Sequence, residues 1–137
     1  MRIVGVGLAA LFTLASGLAP GHSVEAVRSD NMTTVYIVFL RKGPNWAESH
    51  DATPLQEAHL ANIRALWRAK KLIVAGPLGD DGNLRGIFVF QVPSVEDAKA
   101  LTASDPAVKA GHLVGEIHPW WVERDVLPAA GEYCHPQ

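Results

Sequence analysis

Cysteine is almost missing from this chain: Cys134 is the only one in 137 residues. An internal disulfide is therefore excluded, and a lone thiol near the C-terminus is read as a tail residue without a role. Charge bias is missing too. The formal net charge is −2, with no run of basic residues and no interleaving of Lys/Arg with aromatics beyond Trp67-Arg68-Ala69-Lys70-Lys71. That removes the electrostatic case for a nucleic-acid partner. Internal repeats and low-complexity tracts are absent after the N-terminus. The glycine-containing loop Gly79–Asn83 lacks the Lys-Ser/Thr ending of a phosphate loop and leads into a strand, so it does not read as a nucleotide cradle. The six His show no H-x-x-x-H spacing, so no metal is expected. Nothing in the sequence supplies a redox cofactor or a strong nucleophile, and no cofactor is expected.

What is present is apolar. Hydrophobic residues make up 48% of the chain, enough for a packed core, and the length fits one domain. Residues 1–26 differ from the rest. Arg2 is their only charge before Glu25, and the apolar run Ile3–Leu18 spans about 16 residues, short of the roughly 20 that cross a bilayer. A basic start, an apolar centre and a small-residue end read as a secretory signal. Val24 and Ala26 place cleavage after Ala26; cleavage after Ala19 is the alternative, with Pro20 then following the cut. The expected product is exported, periplasmic or secreted, with no stable membrane association once the signal is removed. A retained anchor is the competing reading.

Residues 27–124 then form the domain and 125–137 a tail. Thr33–Leu40 is rich in β-branched and aromatic residues and reads as a strand. Thr53–Lys71 reads as a helix, with Thr53 as N-cap and Pro54 in the first turn. Leu72–Leu78 and Arg85–Val92 are strands joined by the Gly79–Asn83 turn, with Gly76-Pro77 a frayed end or bulge. Ser94-Val95-Glu96-Asp97 opens a second helix that runs to about Ala103. Ser104-Asp105-Pro106 breaks it, and Pro106 starts a short turn ending at Gly111. Leu113–Ile117 is a fourth strand, which Pro119 bends or bulges before Trp120-Trp121-Val122. The order βαββαβ, with right-handed crossovers, predicts an α+β ferredoxin-like layer with the first and third strands central. Both helices cover one face of the sheet. The other face is too apolar to stay in water, which predicts a homodimer with two four-stranded antiparallel sheets packed face to face.

At about 100° per residue, Leu55, His59, Ile63, Leu66 and Trp67 share one arc of the first helix. His59 therefore faces the core, where its ring nitrogens need partners. Asp105, in the break before Pro106, is a candidate: a carboxylate bonded to one imidazole nitrogen fixes the tautomer and leaves the other free to exchange a proton. Blander readings stand beside this one. Asp105 caps the turn at Pro106, and His59 is a satisfied core histidine.

Several stretches resemble the YciI-like (YCII-related domain) family. They are V-Y-I-V-F-L in the first strand, E-A-H-L in the first helix, L-I-V-A-G-P-L, S-D-P-A-V-K-A-G and V-G-E-I-H-P-W-W-V. The resemblance covers about Thr33 to Val122. It implies a dimeric ferredoxin-like α/β barrel, with His59 and Asp105 matching the family's His–Asp pair. It also implies acid/base chemistry of a lyase or isomerase type on a small, aromatic or cyclic substrate, since some members are linked to chloride removal from chlorinated hydroxyquinols. The chain departs from the family in its export signal and in the longer loop Lys42–Thr53, which carries Trp46 and His50. Non-catalytic ligand binding and a purely structural dimer are the alternatives.

Four further residues are candidates for substrate binding. His118, on the last strand, is placed to line the same cleft as His59, against a plain surface role. Arg85 and Arg41, at strand ends, suit an anionic group or a solvated strand end. Trp120 offers a stacking wall, although core packing competes. His112 follows Gly111, where a helix C-terminus welcomes a cation.

Overall fold

The structure is a computed structural model that describes residues 31–46 and 53–132. The segment read as a signal, His50 and Cys134 lie outside these residues. The described chain is one four-stranded antiparallel sheet with three helices. The strands are β1 (Met32–Lys42), β2 (Leu72–Pro77), β3 (Leu84–Phe90) and β4 (Leu113–Glu123). The helices are α1 (Pro54–Arg68), α2 (Val95–Ser104) and α3 (Pro106–Lys109). The sheet order is β2-β3-β1-β4, the α+β, ferredoxin-like arrangement expected of βαββαβ, with β1 and β3 central.

Pro119 neither bends nor bulges β4. The β1–β4 ladder keeps register from Met32 opposite Glu123 to Lys42 opposite Leu113, with Pro119 opposite Tyr36. As β4 is an edge strand, a residue without an N–H is tolerated there. The register shifts fall instead at Leu40/Arg41 and at Leu72/Val74.

The helix-facing side of the sheet carries the larger core. Tyr36, Val38, Leu40, Leu72, Phe88 and Phe90 pack beneath Leu66, Ala98 and Ala107. Phe88, Phe90 and Val38 are almost wholly buried. At roughly 1.5–3 kcal/mol for each fully buried side chain, this layer fixes where α1 sits.

The opposite face is only partly covered. The segment after Arg124, read as a tail, turns back: Leu127 and Ala130 pack against Val35, Ile73, Val89 and Val122. The Ala130 N–H donates to Gln91 Oε1 at 3.1 Å. Beyond this cover Val74, Val114 and Trp120 remain exposed, at 47%, 47% and 42%.

Two helix ends use the same cap. At α3 the His112 N–H reaches Ala107 O, and the Gly111 N–H reaches Val108 O. Gly111 supplies the left-handed residue this motif requires, at φ 68°. At α1 the Lys71 N–H reaches Leu66 O and the Lys70 N–H reaches Trp67 O. There Lys70 adopts φ 56° without being glycine. Among the described residues no helix is long and apolar enough to cross a membrane.

Candidate functional site

The local sequence dictates both members of the His59–Asp105 pair. Thr53 caps α1 by accepting from the Gln56 N–H at 3.3 Å, and Pro54 opens the helix. That phase puts His59 and Leu66 on the buried side, with His59 only 8% exposed. The imidazole lies nearly parallel to Phe88, at 25° and 5.8 Å between ring centres. Asp105 sits between α2 and α3 in an extended conformation, φ −63° and ψ 132°. Pro106 disfavours the helical region for the residue before it, so the chain must open there. The opening aims the carboxyl group inward, and Asp105 is fully buried.

Three donors converge on that carboxylate. Oδ1 accepts from His59 Nδ1 at 2.8 Å and from the Ala107 N–H at 2.9 Å. Oδ2 accepts from Asn62 Nδ2 at 2.8 Å. The helix cap and the His–Asp pair, competing readings at the level of sequence, are thus one group serving both. Burial pushes the carboxyl pKa up. The His59 hydrogen bond and charge, with Asn62 and the Ala107 N–H, outweigh this and hold it below the ordinary 3.8. Asp105 is therefore ionised at neutral pH and can only accept. Nδ1 must then carry a proton, and in the neutral imidazole the lone pair resides on Nε2. The side chain keeps 11% of its surface open.

Asn62 escaped sequence reasoning. Its signal was its position, three residues after His59 on the same arc, where a polar side chain needs a polar partner.

The pleat separates His118 and Trp120 from His59. His118 lies opposite Ile37, Glu116 opposite Phe39 and Trp120 opposite Val35, all on the face away from the helices. The expectation that His118 shares a cleft with His59 gives way to this alternation. On that outer face His118 Nε2 meets Glu116 Oε1 at 2.9 Å, and Arg41 Nε donates to Glu116 Oε2 at 2.9 Å. The hydrogen bonds from His118 and then Arg41 hold the Glu116 carboxyl below its ordinary pKa.

Arg85 stands at the start of β3. Its Nη1 donates to Asp80 O at 2.6 Å and to Gly82 O at 3.4 Å. Its guanidinium lies 5.4 Å from the centre of the Trp46 ring. Trp46, not among the sequence candidates, also packs on the helix-facing core, and His112 leans over it at 4.4 Å rather than facing a helix end alone. No three His, Cys, Asp or Glu side chains gather into a metal-binding group among the described residues. An open depression under Arg124–Glu132 shares no lining residue with the His59–Asp105 pair.

The model of the YCII-related domain matches residues 34–133, taking in the segment that covers the outer face. A comparison with curated proteins finds no match. Among solved structures the chain is similar to 5-chloro-2-hydroxyhydroquinone dehydrochlorinase from Burkholderia phenoliruptrix AC1100, solved with 2,5-dihydroxybenzoquinone. Identity is 23% and the TM-score 0.43, covering 63% of this chain and 92% of that one. With a family match over most of its length, and the strand order and paired His and Asp expected of that family, the chain belongs to the YCII-related domain family.

Proposed function

We propose that this protein is a small enzyme whose chemistry is proton transfer, with His59 as general acid/base and Asp105 as its positioning residue. The observation that carries it is the buried carboxylate tied to Nδ1, which leaves Nε2 as the nitrogen that exchanges protons. In the forward step Nε2 takes a proton from an acidic C–H or O–H of the substrate. The released electron pair forms a new double bond, and a leaving group departs with its bonding pair or the unsaturation shifts. The imidazolium then returns the proton to a different atom of the product, or to solvent. Asp105 stays ionised throughout and stabilises the imidazolium. Such catalysis is worth about 10²–10⁴-fold in rate. The substrate class is a small, aromatic or cyclic molecule, as the resemblance to the family implies. Lyase or isomerase chemistry suits this equipment.

A structural reading is favoured by one specific observation, the sharing of Oδ1 with the Ala107 N–H. Hydroxylated quinols and unsaturated lactones, followed by absorbance, separate the two. Acid/base catalysis predicts turnover that His59→Gln lowers at least about 10²-fold without unfolding the chain. Equal rates in the wild type and His59→Gln sink the proposal.

The proposal includes a homodimer built on the outer sheet face, supported by the exposed Val74, Val114 and Trp120. It also includes export with removal of residues 1–26. The intact mass of the protein recovered from periplasm or medium tests this, and a mass retaining Met1 refutes it.

A further inference from the structure

The loop that leaves β1 is pinned to the turn after α3. The Gly43 N–H donates to His112 O at 2.8 Å, the Asn45 N–H to Gly111 O at 2.9 Å, and Asn45 Nδ2 to Ala110 O at 2.8 Å. Close approach is needed here, since a Cβ on Gly43 would run into the Gly111 carbonyl. The pinning fixes Trp46 between His112 and Arg85, with Lys42 Nζ also 5.4 Å from its ring centre.

Two buried donors in this cluster have no acceptor among the described residues: the Trp46 indole Nε1 and the Arg85 Nε. Stranding a buried donor costs roughly 1–3 kcal/mol, so two in one cluster call for a ligand. Arg85 is prepared for one. Its Nη1 is anchored by the Asp80 and Gly82 carbonyls, which holds the guanidinium plane still. Its Nε edge is the side that grips a carboxylate side-on through two parallel hydrogen bonds. Asp80, on the turn before β3, spends Oδ1 on the Gly82 N–H instead.

We infer that Trp46 and Arg85 form a binding site for the carboxylate of a ring-bearing ligand. Where this names the substrate class it rests on the acid/base reading above; as a binding site it does not. Arg85 and Phe88 lie three residues apart on β3, about 10 Å along the strand. Phe88 in turn stacks on His59, which ties the strand that carries Arg85 to the proton-transfer site.

The probe is benzoate, with neutral benzamide and inorganic phosphate as controls. The readout is the ¹⁵N–¹H indole resonance of Trp46, assigned by its loss in Trp46→Phe. Benzoate is expected to shift that resonance saturably, and benzamide is not. Arg85→Lys keeps the charge but loses the Nε edge, and is expected to weaken benzoate about tenfold; Trp46→Phe, followed by calorimetry, about fivefold. An NOE from bound benzoate to the His59 ring supports the link to the proton-transfer site, and a bound benzoate without one refutes that link. The inference is overturned by no shift, by an equal shift with benzamide, by unchanged affinity in Arg85→Lys, or by phosphate that displaces benzoate at equal concentration. Benzoate binding without any turnover sinks the proposed enzyme alone. Turnover of neutral quinols with no benzoate site sinks this inference alone.

Discussion

Replacing Asp105 separates what the charge does from what the acceptor does. Asp105→Ala removes both oxygens. Asn62, half-buried on the helix surface, can turn its amide to water, but His59 Nδ1 and the Ala107 N–H are buried and lose the acceptor they have among the described residues. Two stranded donors at about 1–3 kcal/mol each give a gross penalty of about 2–6 kcal/mol. Relief from burying an ionised carboxylate offsets part of it, and breaking such a pair typically costs about 3–5 kcal/mol. Against the roughly 5–15 kcal/mol available to a small domain, that is a large fraction. Asp105→Asn keeps one oxygen for His59 and Ala107. Its new amide faces the Asn62 amide, which rotates to present oxygen. Only the charge assistance is lost, about 1–2 kcal/mol. Urea unfolding of both variants, followed by far-UV circular dichroism, reads the difference. Alanine is expected to be about 2 kcal/mol worse than asparagine, with equal m-values. If the two variants unfold within about 0.5 kcal/mol of each other, Asp105 is not the acceptor that satisfies these buried donors.

Acid acts on the same group. A carboxyl whose folded pKa is lowered contributes stability above its unfolded value, and the contribution is lost as pH falls through the folded value. Stability should therefore decline below about pH 4, and less steeply in Asp105→Asn, as thermal melts across pH 2–6 would show. Lys70→Gly should stabilise the chain by about 0.5–1 kcal/mol, because glycine takes the left-handed conformation at φ 56° without strain; a lower melting temperature would refute this account of the α1 cap. Trp120→Asp should turn a dimer into a monomer in sedimentation velocity. A wild type that already sediments as a monomer removes the outer-face interface.

What the sequence could reveal was governed by locality. Thr53, Pro54 and the break before Pro106 act on their own neighbours, so the caps and the break at Asp105 were legible. His59 and Asp105 are 46 residues apart; the helix phase turned His59 toward the core, while Asp105 was legible as a cap and as a candidate partner alike. His118 failed because one residue of strand phase decides its face, and Pro119 beside it obscured that phase. Asn62 and Trp46 failed for another reason. Their roles come from partners on distant elements, Asp105 on one side, Arg85 and His112 on the other. The outer cover was hidden because only Leu127 and Ala130 carry it, too few apolar residues to make a pattern.

Because one oxygen of Asp105 holds both the imidazole and the first amide of α3, the two are thermodynamically linked. Whatever restrains the His59 ring also restrains a four-residue helix that no ligand need touch. The Ala107 amide thereby becomes a built-in gauge: its hydrogen-exchange rate should slow when the imidazole is engaged. Occupancy of this site can be followed through a backbone proton, with no knowledge of what the occupant is.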